Sequence, residues 1–383
     1  MQDVQLPRAW RGAVLAGVAL LVLAVTVVWP VAAGFDIEER ETFGRTVRGT
    51  VASVLDERVE ETPLGEALTR EVEVAVEGRR VAVTQQLVGP SREALAVEAG
   101  DRVLLRVSEG PNGEVFAIVD RVRTPLLLGL TALFALLVTA VGGWKGVRSL
   151  VGLGVSFFVL ARFIVPGILN GHEPLLVALI GSVTIMAATF VLSHGVQWRS
   201  LVALAGTAAA LLLTVLLAQG TFEAAHLTGL ADEDAATAAA LFAGLDPRGL
   251  LVAGFVIGTL GVLDDVAMAQ ASTVFELRRA NVELPARELF SRGMVVGRDH
   301  IASTVNTLVL AYAGASLPVL LILFTQTEGA GVLINREILA VEVLRTLVGS
   351  IGIVAAVPFT TAIAAAVATS SRGEAPTAFG ASA

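Results

Sequence analysis

Long apolar stretches without charge dominate the pattern of hydrophobic and polar positions along the chain. A helix needs about 20 apolar residues to cross the core of a bilayer. Seven stretches have about this length, and one more, 249–275, is divided by Asp264 and Asp265 but becomes apolar again at Val266. We therefore predict an α-helical polytopic membrane protein with about eight transmembrane helices. The other seven stretches are 12–33, 125–142, 149–166, 174–193, 201–218, 305–324 and 346–368.

The distribution of Lys and Arg gives the predicted orientation, because cytoplasmic loops are enriched in both. With a cytoplasmic N-terminus, the inner segments carry eleven such residues, among them Lys145 and Arg372. The short outer loops carry only Arg248 and Arg336. This bias predicts that both termini are cytoplasmic and that residues 34–124 are extracytoplasmic.

The first apolar stretch has two interpretations. Arg8 and Arg11 precede it and the small residues Ala32 and Ala33 end it, as in a secretory signal with a cleavage site. The apolar core of such a signal is about 7–15 residues long, which is shorter than this stretch. We therefore favour a retained N-terminal transmembrane helix at 1–33, with cleavage as the alternative.

Residues 34–124 have a different pattern, in which short β-rich runs alternate apolar and polar positions. Turn residues occur between them at 77–78 and 111–113. Closure of a small sheet removes its exposed edges. We predict an inserted extracytoplasmic β-barrel-like domain, with the OB type as one candidate. The runs are 46–56, 71–76, 81–87, 101–108 and 114–122.

The composition of this domain argues against nucleic-acid binding. It contains 18 acidic and 12 basic residues, and its only aromatic residues are Phe35, Phe43 and Phe116. Single-stranded nucleic acids need a basic groove with stacking aromatic rings. A cap on the membrane domain is the favoured role, with a ligand-binding module as the alternative. The seven-helix membrane domain would then occupy 125–369 and a cytoplasmic tail 370–383.

The overall composition excludes several classes of protein. The chain is 55% hydrophobic and 16% charged, with four His and no Cys. Disulfides, thiolate nucleophiles and cysteine zinc sites are therefore absent. HExxH, GxSxG and Walker A motifs are also absent from the sequence. We predict neither an enzyme nor a bound cofactor.

Acidic residues within the stretch 249–275, the sixth in chain order, are the strongest candidates for a functional site. A charge at the centre of a transmembrane helix costs roughly 2.5–3.5 kcal/mol. Asp264 and Asp265 point about 100° apart on a helix, so both cannot face lipid. Ser272 lies close to the face of Asp265, and Gln270 belongs to the same run.

A second polar stripe begins at the predicted cytoplasmic end of the seventh helix. Asp299, Ser303 and Asn306 repeat at i, i+4 and i+7 and therefore share one face. Next to the Asp pair, these oxygens could coordinate a hard cation or pass protons. The alternative is that they hydrogen-bond neighbouring helices.

Other residues support this membrane site or its surroundings. Gly254, Gly258 and Gly261 have GxxxG-like spacing and predict close helix packing. Arg162 is expected to reach the interface, or to be a counter-charge to a carboxylate on another helix. Glu342 and Arg345 are spaced to form an ion pair.

Two short helices are predicted outside the transmembrane segments. Asp232 is placed to cap a surface helix in the outer segment 219–248. A separate amphipathic cytoplasmic helix is expected at 284–294, with Pro285 near its start.

The run 261–272, the segment 293–299 and the segment 306–312 resemble the YibE/F family of bacterial multi-span membrane proteins. The resemblance also extends to the N-terminal helix followed by an outer β-rich domain. It implies a bacterial cytoplasmic (inner) membrane protein, and it points to the stretches that contain Asp265, Ser272 and Asp299. It implies no settled activity. The second acid, Asp264, is not found in every member of the family.

These features predict a secondary transporter in which acids of the sixth and seventh helices form a cation or proton site. The alternative is a non-transporting scaffold or assembly factor, whose β domain binds an envelope protein partner. The predicted partners are the lipid bilayer, an inorganic cation or proton, and a second copy or an envelope protein. Substrate, energy coupling and the identity of any metal stay open at this point.

Overall fold

The structure is a computed structural model that describes residues 7–33, 45–62, 65–88, 96–110, 113–242, 244–325 and 329–370. The chain forms two compact units, of which residues 37–138 are one and the remainder the other. The unit 37–138 therefore extends beyond the predicted domain boundary at 124. Phe35, Phe43, Arg372, the turn at 111–112 and the tail from 371 lie outside the described residues.

The helices follow the apolar stretches of the sequence, and three of them contain a π-helical turn. These turns are π1 (Ala24–Val28), π2 (Leu160–Ile164) and π3 (Phe190–His194). The α-helices are α1 (Arg8–Leu23), α2 (Trp29–Ala32), α3 (Thr124–Val159), α4 (Val165–Leu169), α5 (Pro174–Thr189), α6 (Trp198–Ala224), α7 (Glu233–Leu241), α8 (Pro247–Ala280), α9 (Ala286–Ala315), α10 (Leu317–Phe324), α11 (Ala330–Leu333) and α12 (Glu337–Ser370).

Six helical stretches among the described residues are long and apolar enough to cross a membrane. A seventh candidate is the pair α9 and α10, which is bent by 64°. The prediction of eight helices is therefore not confirmed. Two predicted helices, 125–142 and 149–166, lie in one helical stretch, Thr124–Leu169. Gly143 interrupts this stretch with φ 55° and ψ −138°, a conformation that glycine can adopt because it has no Cβ.

Small residues bring the helices of the bundle together at positions that the sequence did not single out. A Cβ at Gly206 of α6 would lie 2.1 Å from Oγ1 of Thr360 in α12. One at Gly352 of α12 would lie 2.2 Å from Oγ1 of Thr214 in α6. The absence of side chains here lets α6 and α12 approach closely, as is typical of membrane helices.

Within the described residues, the glycines predicted to pack helices make no close helix contact. Gly254, Gly258 and Gly261 are exposed on α8. A Cβ at Gly254 or Gly261 would meet nothing within 4 Å in the described part of the chain, and one at Gly258 would be 3.9 Å from Oη of Tyr312. The face of α8 that packs within the described chain is the opposite one, which includes Phe255, Val256 and Leu263, so helix packing through the three glycines stays a prediction.

The predicted cytoplasmic helix at 284–294 is not a separate element. Pro285 precedes α9, which then runs unbroken from Ala286 to Ala315. The residues after 294 remain compatible with a helix, so the amphipathic segment continues into the apolar one. Two local predictions are confirmed: Asp232 caps α7 within the segment 219–248, and Glu342 of α12 pairs with Arg345 at 2.7 Å.

The predicted β-rich domain contains all five strands. They are β1 (Arg45–Thr62), β2 (Gly65–Val76), β3 (Arg79–Val88), β4 (Arg102–Gly110) and β5 (Gly113–Arg121). All neighbours are antiparallel, in the order β3-β2-β1-β4-β5. Alternating residues such as Val72, Val74 and Val76 form the core, with at most 1% exposure.

This sheet is not a closed barrel. β3 and β5 are its edges, and no hydrogen-bonded ladder joins them in the described residues. The edges come near each other at one corner, where Arg79 of β3 pairs with Glu114 of β5. The Arg79 guanidinium also lies 5.4 Å from the centre of the Phe116 ring. The closed barrel and the OB type are therefore not confirmed.

Candidate functional site

The two acids of α8 lie at the boundary between its buried and exposed faces. The helix begins after Asp246, whose side chain accepts a hydrogen bond from the Arg248 N–H, and ends at Ala280. Leu263 and Val266 are buried on either side of the acid pair. Asp264 is half-buried, whereas Asp265 is exposed. The roughly 100° between consecutive residues of a helix produces this difference.

Asp264 presents an unsatisfied oxygen to the protein interior. Its Oδ1 is buried and has no hydrogen-bond partner among the residues that the structure describes. The Thr189 side chain, at the end of α5, lies near the same carboxyl group, but its hydroxyl donates to the carbonyls of Ile185 and Met186 at 2.9 and 3.1 Å. A buried carboxyl oxygen without a partner is costly unless it binds a proton or another ligand.

Two histidines accompany Asp265. His194, the last residue of π3, and His300 of α9 are both close enough to interact electrostatically with its carboxylate. No residue pattern in the sequence predicts an interaction partner for either histidine. The only sequence signals were that His194 ends an apolar stretch and that His300 follows Asp299. Packing of α5, α8 and α9 is needed to bring the three residues together.

Several cationic residues surround His194. Lys145, Arg148 and Arg199 all act on it electrostatically. An Arg148 amino group also donates a hydrogen bond of 3.1 Å to the carbonyl of Val191 in π3. Among the described residues, no ion pair joins these cations to the acids of α8. We call Asp264, Asp265, Thr189, His194 and His300 the acid–histidine cluster.

Gln270 is buried and connects three helices, while its place on an ion path stays a prediction. It is 3% exposed, and its Nε2 donates hydrogen bonds to the Gly293 carbonyl at 2.8 Å and to Thr361 Oγ1 at 2.7 Å. It thereby connects α8 with α9 and α12. A Cβ at Gly297 would lie 3.1 Å from the Gln270 amide, so glycine leaves the space that this side chain needs.

The second predicted stripe is at the surface of the described chain. Asp299, Ser303 and Asn306 are all exposed on α9, and Ser272 of α8 is half-buried. No hydrogen bond or ion pair of the Asp299 side chain occurs among the described residues. A shared site of Asp265 and Asp299 stays a prediction. No group of three His, Asp or Glu residues in the described ranges could hold a metal ion.

Arg162 is not a counter-charge to any acid in the described part of the protein. It lies in π2, and its side chain is exposed without an ion pair. Its neighbours Phe163 and Ile164 are buried instead. The long side chain therefore has the position expected for a guanidinium that extends to the interface.

The exposed glycine stripe of α8 lies between a cavity and the acid pair on one face of the helix. The cavity has a volume of about 220 Å³, and its lining includes Gly254, Glu342 and Arg345. Gly258, Gly261 and Asp265 follow Gly254 on the same face. The rise of about 1.5 Å per residue separates Gly254 from Asp265 by roughly 17 Å. This face offers little side-chain bulk over that distance.

Comparison with known proteins identifies the helical part of the chain. The family model described as YibE/F-like protein matches residues 130–370. The match includes α5 to α12 and all residues of the acid–histidine cluster, but not α1 or the β strands. No curated protein and no solved structure matches the chain.

Proposed function

Because the chain belongs to the YibE/F-like protein family, whose description names no activity, we propose its function from the site itself: a secondary transporter with a proton site at Asp264 and Asp265. His194 and His300 would exchange protons with Asp265. Imidazole suits this role because it titrates near neutral pH. The transported substrate would be a small solute or an inorganic cation.

The unsatisfied Oδ1 of Asp264 carries this proposal. An ionised carboxylate in an apolar helix bundle is costly, and such residues commonly mark proton relays in pumps and transporters. A proton on Asp264 would remove the charge and let the group donate a hydrogen bond. The exposed Asp265 next to it could supply that proton, since the two carboxyls occupy adjacent positions of one helix.

The glycine stripe supports a route from the outer cavity to this site. Exposed polar side chains at membrane depth are tolerated where they line a water-filled cavity. We infer that the face with Gly254, Gly258 and Asp265 lines such a cavity and does not face lipid, because it carries an exposed carboxylate. Asp299 and Asn306 on α9 would extend the route toward the cytoplasm.

We further propose eight crossings of the cytoplasmic membrane, with the N-terminus inside and the β domain outside. The stretch Thr124–Leu169 contains 46 residues and would be roughly 69 Å long as a straight helix. That is more than twice the bilayer core of about 30 Å. Gly143 would therefore separate two crossings, and the bent pair α9 and α10 would form one more.

Proton flux in proteoliposomes tests the transport proposal. Vesicles with an internal pH-sensitive dye would receive a membrane potential and a panel of ions and small metabolites. Asp265→Asn should reduce proton uptake at least about tenfold, the effect of losing a positioned proton-transfer group being about 10²–10⁴-fold. Glu276→Gln is the matched control, because Glu276 is an exposed acid on the same helix that pairs with Arg279 at 3.2 Å.

Normal flux in folded Asp265→Asn would contradict the proposal. The open sheet then favours the second function, a scaffold whose outer domain binds an envelope protein. Edge strands such as β3 and β5 present unpaired backbone groups to which a partner strand can add. Stoichiometric co-purification of one partner, unchanged by Asp265→Asn, would support that function.

A further inference from the structure

A pocket of about 390 Å³ lies where the β sheet meets the start of α3. Arg48 of β1 and Arg102 of β4 line it, together with Thr124, Pro125 and Leu128 of α3. All of these residues belong to the same compact unit. The pocket therefore combines two cationic groups with the first turn of an apolar helix.

The register of the sheet places the two guanidinium groups on one side. Thr50 pairs with Arg102 and Arg48 pairs with Leu104 in the β1–β4 ladder. Residues two apart on a strand share a face, so Arg48 and Arg102 are diagonal neighbours. Both are exposed, whereas the intervening Val103 is buried.

These two arginines differ from the other arginines of the unit. Among the described residues, neither the Arg48 nor the Arg102 side chain forms a hydrogen bond or an ion pair. The other described arginines of the unit all have a partner; examples are Arg58 with Asp56 at 2.7 Å, Arg80 with Glu73 at 3.1 Å and Arg123 with Asp120 at 2.7 Å. These two unpaired cations are therefore available to an anion from outside the chain.

The position of the pocket indicates the source of that anion. Leu126, Leu127 and Leu128 are 57–75% exposed, as expected for residues that face lipid chains. Thr124 therefore lies near the level of the lipid headgroups, where phosphate groups are concentrated. Guanidinium groups bind phosphate oxygens with two parallel hydrogen bonds, and a helix N-terminus favours the same charge.

We propose that this pocket binds the phosphate of an anionic phospholipid, with Arg48 and Arg102 as its ligands. The acyl chains would lie along the exposed leucines of α3. The zwitterionic choline headgroup would bind less well, because its cation would meet the two guanidinium groups. The lipid would fix the β domain at the membrane surface next to α3.

Native mass spectrometry of the delipidated full-length protein in detergent tests the proposal. The probes are palmitoyl-oleoyl phosphatidylglycerol, the matching phosphatidylcholine, and glycerol phosphate as a soluble source of the same group. We expect the native protein to bind phosphatidylglycerol best. Arg48→Gln/Arg102→Gln should weaken that binding by about tenfold or more, because it removes both guanidinium groups that would bind the phosphate.

The matched control is Arg58→Gln/Arg80→Gln, which removes the same charge from exposed and already paired arginines of the same sheet. It should leave the affinity for phosphatidylglycerol within about twofold of the native value. Equal losses in both double variants, or no loss in either, would overturn the proposal. Equal affinity for glycerol phosphate and phosphatidylglycerol would also overturn it, because the ligand would then be a soluble phosphate compound.

Discussion

At the scale of single residues, the membrane cost of an acid identified the centre of the candidate site. Asp264 and Asp265 were identified by that cost alone, and both lie in the acid–histidine cluster. His194 and His300 could not be identified in this way, because neutral imidazole is tolerated in many positions. Their role depends on which helices pack together, which spacing along the chain does not reveal. Gln270 shows the reverse case, since its polar group satisfies neighbouring helices.

The role of Gln270 can be tested by stability. Gln270→Leu removes hydrogen bonds to Gly293 and Thr361. Hydrogen bonds between membrane helices contribute about 0.6 kcal/mol each on average and up to about 1.7 kcal/mol. We expect the free energy of unfolding to fall by about 1–3 kcal/mol. Thermal unfolding in detergent, followed by tryptophan fluorescence, measures this loss.

Ser272→Ala is the control for Gln270→Leu, because Ser272 is half-buried on the same helix without a side-chain hydrogen bond of its own among those described. Its midpoint temperature should stay close to that of the native protein. A Gln270→Leu variant as stable as the native chain, but defective in transport, would restore Gln270 to the ion path.

At the scale of elements, alternation predicted the strands and length predicted the helices, but neither predicted how elements meet. The five strands occur where the apolar–polar alternation places them. Closure of the sheet depends on pairing between β3 and β5, which no local pattern specifies. The glycine spacing on α8 was equally ambiguous, because a small residue can either allow a neighbouring helix to approach closely or lie on an exposed face. Gly206 and Gly352 admit a helix, whereas Gly254 leaves a cavity open.

Gly49 in β1 provides a test of packing within the β domain. A Cβ there would lie 2.6 Å from both Leu105 Cδ1 and Val74 Cγ1, so Gly49→Val should overpack the core. Overpacking typically costs about 1–3 kcal/mol. Trypsin should therefore cleave the domain faster in the full-length variant. Thr46→Val, on the exposed face of the same strand, should be cleaved at the native rate, and equal protection of both variants would contradict this account.

At the scale of the whole molecule, the absence of cysteine from the sequence makes the topology directly testable. Single cysteines at Arg58, Lys145 and His172 can be labelled with a membrane-impermeant maleimide in intact bacterial cells. We expect Arg58→Cys and His172→Cys to react from outside, and Lys145→Cys to react only after the membrane is permeabilised. These results follow if the Thr124–Leu169 stretch crosses the membrane twice.

A single crossing by that stretch would give a different labelling pattern. His172→Cys would then be protected in intact cells, while Arg58→Cys would still react. Protection of Arg58→Cys would instead reverse the orientation and place the β domain in the cytoplasm. Labelling of these three single-cysteine variants with one reagent therefore determines both the number of crossings and the orientation of the bundle.

The π-helical turn π3 has a consequence for the natural diversity of this family. A π turn contains one residue more than an α turn. A relative with one residue fewer between Pro174 and Gly195 could continue as a regular α-helix and keep its equivalent of His194 in the same direction, because five residues of a π turn rotate roughly as far as four residues of an α turn. Loss of the π turn without that deletion would instead rotate the imidazole by about 100° and separate it from the acid on α8. Family members that keep the histidine–aspartate neighbourhood should therefore have either the longer segment with the π turn or the segment that is shorter by one residue without it.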